Sequence, residues 1–476
     1  MAYIQFLGAA GTVTGSKHLI NTASNGNSGF QALIDCGMFQ GPKEWRERNW
    51  KELPIPARDI DAVILTHAHL DHCGWIPRLV KDGFRGPIYA TPATIDLCGV
   101  LLPDSGHLQE EDAAFYNKTR KSKHSPALPL YTMEEAQACL QYFKPVPFEQ
   151  TMQPSAGISF RFVRAAHILG SSMVELTVQS AAASRKLLFT GDIGRVRDRN
   201  VAPGKVVYYG PTQGETADIM VMESTYGNRQ HPTEDPRPEL GQLIRATVER
   251  GGSVVVPAFA VERTQKFLFM LKQTMELGAA PRIPVFCDSP MAIKAVEIFL
   301  KHTEEYSDET RELIARYGSP LAWPGFTFAS TPEQSKQIND SKFPCVIVSS
   351  SGMVTGGRIQ HHLAQRLPDP RNTVIFIGFQ APGTRGFTIK SGAREVKIFG
   401  EIVPIRAQVA ALEQFSDHAD TPELLQWLRT FPRQPASTYL VHGETAASSQ
   451  LRDTMKKELG WSVEVAEWME KVQVVE

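Results

Sequence analysis

The sequence has no long apolar run, few cysteines and almost no net charge. No segment approaches the ~18–20 consecutive apolar residues that a membrane-spanning helix requires, and the first residues lack the basic and apolar regions of a secretory signal. The six cysteines are scattered and form no CxxC pair, which is typical of reduced thiols rather than of a disulfide framework. We therefore expect a cytoplasmic protein that has no membrane partner.

The charge balance excludes nucleic-acid binding that depends on an overall excess of basic residues. The chain has 50 Lys and Arg residues against 51 Asp and Glu residues, a net charge of −1. Proteins that bind nucleic acid by neutralising phosphates often carry a basic surplus. An anionic substrate must therefore be held here by a local concentration of positive charge, which bound metal ions can supply. Composition alone neither supports nor excludes RNA as a substrate.

The chain is long enough for two or three domains. Its 476 residues exceed what one ordinary hydrophobic core organises. The first part is rich in strand patterns, and from about residue 218 strands and helices alternate, which indicates βαβ units on a mainly parallel sheet. The final part returns to mixed structure. We predict an α/β protein with a first part at 1–217, an inserted domain at 218–395 and a C-terminal part at 396–476.

The strongest chemical signal is the segment Thr66–His72, with the sequence THAHLDH. It follows a strand pattern at Asp61–Thr66, so three imidazoles and one carboxylate lie together on a loop after a buried strand. Zinc binds neutral imidazole nitrogens and carboxylate oxygens. One tetrahedral site cannot use all four groups and still accept distant ligands, which favours two metal ions. A solvated histidine-rich loop is the alternative, although histidine is uncommon here, at 13 of 476 residues.

The HxHxDH pattern after a strand resembles the signature of the metallo-β-lactamase superfamily. Three more motifs of that family occur in the family's order: Asp35 in LIDCG lies before the histidine loop, and His167 in AAHILGS and Asp192 in FTGDIG lie after it. The resemblance implies an αββα sandwich in which Asp35 braces the histidine loop without binding metal. It also implies two ligand sets, namely His67, His69, His167 and Asp192 for one zinc, and Asp71, His72, Asp192 and a further histidine for the other.

Each of the three additional matches has a structural alternative. Asp35 could cap a turn, His167 could be a buried core histidine, and Asp192 could serve turn chemistry before glycine. Their occurrence in the family's order favours the metal hypothesis over three separate coincidences.

Motifs further along the chain resemble the β-CASP branch of this superfamily. They are Glu223 in MESTYG, His418 in FSDHAD and His442 in VHGE. The branch is defined by a domain inserted between the metallo-β-lactamase halves. The segment 218–395 matches this insertion by its position and by its alternating strands and helices. The chain resembles the short bacterial relatives of the cleavage-and-polyadenylation endonuclease. We expect neither the C-terminal domain of ribonuclease J nor an N-terminal KH-like extension.

The resemblance implies a zinc-dependent ribonuclease that works with two metal ions and hydrolyses RNA internally or from an end. Two Zn²⁺ per chain are expected, with Mn²⁺ as the alternative metal. His442 is the remaining ligand of the second zinc, and Asp71 is expected to be catalytic as well as metal-binding. His418 is expected to contact phosphate and to act as a general acid, and Glu223 to orient it. A surface or helix-capping histidine is the alternative for His418.

A phosphate-binding loop is predicted at Ser350, Ser351 and Gly352, which follow the apolar strand pattern CVIV. Hydroxyls and backbone N–H groups at a strand-to-helix turn form an anion site, and an ordinary polar turn is the alternative. Relatives have GTLGR where this chain has GTRGF, which puts a role for Arg385 in doubt. The basic run Lys118–His124 is interpreted as a solvated loop, with lining of the RNA path as the alternative, and Ser180–Ser184 as a hairpin loop.

Three other functions stay open at this point. A thioesterase or lactonase would share the zinc loop but has no use for Glu223, His418 and an inserted domain. A non-catalytic RNA-binding scaffold subunit would have lost metal ligands, and every predicted ligand is present. A DNA-repair nuclease of the same branch often has another residue at the position of His442. The sequence also leaves the oligomeric state open, with a homodimer among the alternatives.

Overall fold

The computed structural model describes residues 2–22, 29–119, 125–179, 183–196, 210–232, 234–317, 323–378 and 380–475. These residues form two compact units. The first unit contains the described residues of 2–196, 210–230 and 417–475, and the second contains His231–Ser416. Both units are mixed α/β structures, as the sequence predicted.

The strands lie in both units and are numbered along the chain. They are β1 Ala2–Phe6, β2 His18–Asn21, β3 Gln31–Ile34, β4 Ala62–Ile64, β5 Ile88–Ala90, β6 Phe143–Pro145, β7 Met152–Ser155, β8 Ile158–Arg164, β9 Ser172–Gln179, β10 Ser184–Phe189, β11 Ile219–Glu223, β12 Val254–Pro257, β13 Val285–Asp288, β14 Phe326–Phe328, β15 Val346–Ser349, β16 Thr373–Phe376, β17 Glu395–Ile398, β18 Glu401–Pro404, β19 Gln408–Ala411, β20 Ser437–Val441, β21 Val463–Val465 and β22 Lys471–Val475.

The α-helices are numbered in the same way. They are α1 Lys43–Arg46, α2 Leu70–Cys73, α3 Ile76–Lys81, α4 Pro92–Thr119, α5 Met133–Cys139, α6 Pro236–Glu249, α7 Arg263–Glu276, α8 Pro290–Lys301, α9 Asp308–Tyr317, α10 Pro332–Asp340, α11 Ile359–Arg366, α12 Arg385–Lys390, α13 Thr421–Leu428 and α14 Thr445–Leu459.

The first unit is built on two seven-stranded sheets. Their strand orders are β22-β1-β2-β3-β4-β5-β6 and β21-β20-β11-β10-β9-β8-β7. One hydrophobic core joins the sheets face to face, since it contains Ile4 and Ile34 from the first sheet together with Phe160 and Val221 from the second. Alternate strand residues supply this core because successive side chains of a strand point to opposite faces.

Helices cover the outer face of the second sheet. Met220 and Leu440 point away from the first sheet and form a second core with Leu424 of α13 and Leu451 of α14. Helix α13 begins at a capping box in which Asp420 accepts from the backbone N–H of Glu423, and the Glu423 carboxylate accepts from the N–H of Asp420. These helices fix the segments that carry His418 and His442.

The second unit has a parallel six-stranded sheet in the order β14-β13-β15-β12-β16-β19, and β17 and β18 form a separate hairpin. Its central strands are apolar, with Val254, Val256, Val346 and Val348 fully buried. Helices connect consecutive strands, which is the βαβ arrangement that the alternating pattern predicted.

Strand pairing corrects the predicted domain boundaries at 218 and 395. Strand β11 (219–223) pairs in parallel with β10 and β20 and therefore belongs to the first unit. Strand β19 (408–411) pairs with β16 and belongs to the second unit. The inserted unit therefore runs from His231 to Ser416. The change of pattern at about residue 218 marked the start of a strand. The sequence pattern does not show which sheet that strand joins.

The 28-residue helix α4 is a feature that the strand-rich pattern of the first part did not reveal. It contains Pro103 and packs against α5 and β6. Across the described ranges, no helix has the combination of length and hydrophobicity that crossing a bilayer requires. Residues 120–124 of the basic run Lys118–His124, and residues 180–182 of the predicted hairpin loop, lie outside the described residues.

Two glycines of α4 give a matched test of this packing. A Cβ atom at Gly106 would lie 2.7 Å from backbone atoms of Thr132 and Met133, whereas a Cβ at Gly99 would meet nothing within 4 Å. Gly106→Ala should lower the free energy of unfolding by about 1–3 kcal/mol through overpacking. Gly99→Ala should leave it unchanged or raise it by up to about 1 kcal/mol through helix propensity. Urea denaturation of both variants checks this, and equal effects would contradict the packing of α4 on α5.

Candidate metal centre

Two parallel strands of the first sheet position the histidine loop. Strands β3 and β4 pair in register, with Ile34 opposite Ile64, so Asp35 and the loop after Ile64 emerge at the same sheet edge. Asp35 Oδ1 accepts a hydrogen bond from the backbone N–H of Thr66 at 2.8 Å, and Oδ2 accepts from the Thr66 hydroxyl at 3.0 Å. The carboxylate of Asp35 therefore holds the start of the loop that contains His67–His72.

The second sheet brings distant residues to one edge. Strands β10, β11 and β20 are parallel neighbours, so the residues after their carboxyl ends converge, as is usual for functional groups in α/β sheets. Asp192 follows β10, Glu223 ends β11 and His442 follows β20. His167 follows the antiparallel strand β8. All the predicted metal ligands lie in the first unit.

The first group consists of His67, His69, His167 and Asp192, whose ligand atoms all lie within 4.8 Å of one another. His69 Nδ1 is 3.2 Å from Nε2 of His67 and 3.2 Å from Nε2 of His167. Both Nε2 atoms are 3.5 Å from Oδ2 of Asp192. The structure thus brings together the set that the family resemblance implied for one metal.

The partners of the outer nitrogens determine where the protons of this group lie. His167 Nδ1 faces the carbonyl oxygen of Asp417 at 3.2 Å, and because a carbonyl only accepts, the proton is on Nδ1. The Thr66 hydroxyl donates to Asp35, so His67 Nδ1 must donate to it at 3.0 Å. In the neutral rings, both Nε2 atoms therefore present lone pairs to His69 Nδ1, which can donate to only one of them.

The second group consists of Asp71, His72 and His442, with Asp192 beside it. His442 Nε2 is 3.2 Å from Asp71 Oδ2, and His72 Nε2 is 3.3 Å from Asp192 Oδ1. His72 Nδ1 donates to Asp35 Oδ2 at 2.7 Å, so the same carboxylate that holds the loop also orients this ring. Asp192 faces both groups, because its Oδ1 lies beside His72 and its Oδ2 beside His67.

Burial and neighbouring charge set the protonation states of these groups. Burial lowers the pKa of His72, but the carboxylates of Asp192 and Asp35 outweigh it and raise the pKa well above the usual value, so this ring must lose a proton to bind a metal. Burial lowers the pKa of His67 and of His167 well below the usual value and lowers that of His69 to about 4, so these rings are neutral ligands at pH 7. Burial raises the pKa of Asp192, but His442, His72 and His418 outweigh it, and the pKa lies well below the usual value. Asp192 is therefore ionised.

The residues present fit a metal pair. His72 Nε2 and Asp192 Oδ1 are buried and make no hydrogen bond with any described residue, although they lie 3.3 Å apart. Leaving such atoms unpaired costs roughly 1–3 kcal/mol each. Converging lone pairs and carboxylate oxygens are the chemistry that a divalent cation complements, and the donor set of imidazole and carboxylate suits zinc.

His418 and Glu223 form a separate pair beside these groups. His418 Nδ1 lies 3.2 and 3.1 Å from the two carboxylate oxygens of Glu223, and its Nε2 is 3.8 Å from Asp192 Oδ2. The Glu223 side chain is 1% exposed, whereas that of His418 is 14% exposed. Because Nδ1 of His418 donates a hydrogen bond to the Glu223 carboxylate, Nε2 is the ring nitrogen that can contact a substrate.

Backbone conformation at the centre departs from the usual regions. Asp35, Ala166 and His442 have φ angles of 60°, 62° and 49°, in the left-handed region that costs a non-glycine residue about 1 kcal/mol or more. Asp35 holds the histidine loop, Ala166 precedes the proposed ligand His167, and His442 is itself a proposed ligand, so some of the strained backbone of this protein lies at the centre. This strain could not be predicted from sequence, because none of the three residues is glycine.

The supporting hydroxyls and carbonyl were also missed from sequence. Thr225 accepts the Nδ1 proton of His442 at 3.1 Å and donates its own proton to the His442 carbonyl at 3.0 Å. The Thr66 hydroxyl and the Asp417 carbonyl likewise accept hydrogen bonds from Nδ1 of His67 and Nδ1 of His167. Each of these groups lies within two residues of a predicted functional residue in the chain. Adjacency to a motif is therefore the signal that could have identified them.

The predicted phosphate loop lies in the second unit, after β15. Ser350 Oγ is buried and has no hydrogen-bond partner among the described residues. Ser351 Oγ, in contrast, accepts from the backbone N–H groups of Thr355 at 3.0 Å and Gly356 at 3.4 Å, so it closes the turn. The guanidinium of Arg385 is engaged with the carbonyls of Lys397, Val354 and Thr355, so its role is structural.

The fold and the centre together define a class of protein. A sandwich of two sheets, with histidines and aspartates converging from the strand ends, is the architecture of a metallo-hydrolase. The metallo-beta-lactamase superfamily matches residues 25–220, the Beta-Casp domain matches residues 264–389, and the Zn-dependent metallo-hydrolase RNA specificity domain matches residues 402–466. The chain belongs to the metallo-β-lactamase superfamily and, within it, to the β-CASP branch.

Individual proteins show the same relationship. The chain is 36% identical to Ribonuclease TTHA0252 of Thermus thermophilus, over 92% of this chain and 92% of that protein. It is 31% identical to Transcription termination factor FttA of Methanocaldococcus jannaschii, over 95% of this chain and 69% of that protein. A crystal structure of a protein of unknown function from Enterococcus faecalis V583 shares the fold, with a TM-score of 0.52, 14% identity and 99% coverage of both chains.

Substitution of a proposed ligand should weaken metal binding while the protein stays folded. His69→Ala and His167→Ala should each weaken binding of Zn²⁺ by more than roughly 100-fold, the upper end of the loss seen for groups that only support a ligand. His107→Ala, at an exposed histidine on α4 paired with Glu111, is the matched control and should bind like the native protein. Equilibrium dialysis with elemental analysis measures the affinity. Equal binding by all three variants would contradict the centre.

Proposed function

We propose that this protein is a metal-dependent ribonuclease that hydrolyses phosphodiester bonds in RNA with two Zn²⁺ ions per chain. His67, His69, His167 and Asp192 would hold one ion, and Asp71, His72, His442 and Asp192 the other. The contact that carries the proposal is the pair His418–Glu223, which places an imidazole nitrogen 3.8 Å from Asp192 Oδ2. Mn²⁺ is the alternative metal.

The RNA specificity is supported by two similarities. The matched Zn-dependent metallo-hydrolase RNA specificity domain covers residues 402–466, which include His418 and His442. Ribonuclease TTHA0252, of which the chain covers 92%, is named for activity on RNA. Thioesterase or lactonase chemistry would leave the His418–Glu223 pair and the second unit without a role, and a scaffold would not need the complete set of ligands.

The roles of the residues follow from their contacts. When bound, the metal pair would polarise the phosphate and lower the pKa of a bound water. Glu223 accepts a hydrogen bond from Nδ1 of His418 and fixes the orientation of the ring. The Nε2–H of His418, which faces Asp192, then donates a proton to the leaving oxygen of the cleaved phosphodiester. Asp71 Oδ2 lies 3.2 Å from Nε2 of His442, and both atoms would bind the second ion.

The proposal extends to substrate binding in the second unit. Ser350 is the member of the predicted loop whose buried hydroxyl makes no hydrogen bond with the described residues, so it can donate to a phosphate oxygen. The backbone N–H of Gly352 would add a second donor. Ser351 supports this loop by closing its turn.

The compartment and assembly are the remaining parts of the proposal. A cytoplasmic location is supported by six free cysteines, all buried, since disulfides are rare in that compartment. The proposed ligands and the His418–Glu223 pair all come from one chain. A homodimer would therefore not be needed to supply these residues.

The central test separates metal binding from proton transfer. Asp192→Ala should abolish cleavage and metal binding together. His418→Ala should lower kcat by about 10²–10⁴-fold, the range for loss of a general acid, and should keep close to two zinc ions per chain. Single-turnover cleavage of a labelled RNA, with zinc analysis of the same samples, measures both quantities.

Controls for that test use the substrate and an unrelated histidine. His107→Ala should cleave like the native protein. Matched RNA and DNA oligonucleotides, a thioester and a lactone should be compared, and RNA should be the substrate that turns over. Efficient ester turnover with intact RNA would overturn the proposal, as would RNA binding without product in the presence of zinc. Loss of zinc from His418→Ala would contradict the role assigned to His418.

A second test compares neighbouring serines of the loop. Ser350→Ala should raise KM for RNA by about 3–10-fold, equivalent to a hydrogen bond of roughly 0.5–1.5 kcal/mol, with kcat unchanged. Ser351→Ala should mainly lower stability, because its hydroxyl closes the turn. Steady-state kinetics and urea denaturation of both variants distinguish the two roles. An unchanged KM for Ser350→Ala would remove Ser350 from the RNA-binding site.

A further inference from the structure

His18 is a buried imidazole that the proposed mechanism does not use. It lies on β2, where it pairs with Phe6 of β1 on one side and Ile34 of β3 on the other, and its side chain is buried at 3% exposure. The rings of Phe6 and Phe189 flank it, with centroid distances of 5.6 and 6.1 Å. An apolar residue is the usual occupant of such a position.

The hydrogen bonds of His18 are incomplete. Its Nε2 lies 3.5 Å from the hydroxyl of Ser16, at the limit of a hydrogen bond. Its Nδ1 is buried and has no partner in the described part of the chain. A neutral imidazole has one donor and one acceptor, and a buried polar atom without a partner is destabilising. Retaining histidine here therefore needs an explanation beyond packing.

A small cavity adjoins this ring and the metal centre. The volume within which the centre of a water molecule can lie is about 10 Å³. One buried water needs about that much space. Polar residues that line it include Ser16, His18, Asp35, Thr66, His72 and His442. A water in this space has enough polar groups around it for the two to four hydrogen bonds that buried waters make.

We propose that His18 is a positioning residue of the metal centre and acts through a single water molecule bound in this cavity. The inference rests on the metal-dependent function proposed above. Asp35 holds both Thr66 and His72, so a water that links His18 to this group supports the ligand loop from behind. Supporting groups of this kind restrict the orientation of metal-binding rings and increase metal affinity.

The test compares two substitutions of His18. His18→Phe keeps a ring and removes the polar atoms, and should weaken zinc binding by about tenfold. His18→Asn keeps a polar atom close to the position of Nδ1 and should therefore lose clearly less zinc affinity than His18→Phe, below the roughly tenfold loss that removal of a supporting group causes. Competition with a chromophoric chelator measures the affinity without RNA. Ile20→Val, at a buried residue on the same face of β2, controls for loosening of the strand.

Several outcomes would overturn the inference. They are native affinity in His18→Phe, equal losses in His18→Phe and His18→Asn, and an equal loss in Ile20→Val. If His18→Phe does not fold, a high-resolution crystal structure of the native protein decides, since a water within hydrogen-bond distance of His18 Nδ1 supports the inference and its absence overturns it. Because zinc affinity is measured without substrate, a failure to cleave RNA would refute the proposed ribonuclease and leave this inference standing.

Discussion

Imidazole nitrogens and carboxylate oxygens converge in the first unit without being able to satisfy one another. The Nδ1 atoms of His67 and His167 donate outward to Thr66 and the Asp417 carbonyl, so their Nε2 lone pairs face inward. Burying such groups unpaired is costly, and the strained backbone at Asp35 and His442 adds to that cost. A bound divalent cation offsets both, so metal binding and the local fold depend on each other.

The arrangement separates two tasks within one unit. The seven proposed ligands would contribute lone pairs and negative charge, whereas His418 and Glu223 form the pair to which we assign proton transfer. The second sheet contributes to both sets, because β11 ends at Glu223 and β20 leads into His442. The parallel pairing of these strands is therefore what joins residues that are more than two hundred positions apart in the chain. Removing the proton donor and removing the metal are consequently separable experiments.

The sequence was informative where chemistry requires particular residue types at fixed spacing. The His67–His72 loop follows a buried strand, and the motifs around His167, Asp192 and His442 occur in the family order, so the composition of the centre was predictable. The domain boundaries were not, because a strand pattern such as 219–223 does not state which sheet it joins. The hydroxyls of Thr66 and Thr225 and the buried ring of His18 were also missed, since their roles depend on contacts across the fold and not on a local pattern.

X-ray diffraction at wavelengths on either side of the zinc absorption edge tests the central claim most directly. Crystals of the native protein grown with Zn²⁺ should show two anomalous peaks roughly 3.5–4 Å apart, one among His67, His69 and His167 and the other beside Asp71, His72 and His442. Asp192 should lie between the two peaks. A centre without anomalous signal, or with His167 and His442 turned away from it, would contradict the account.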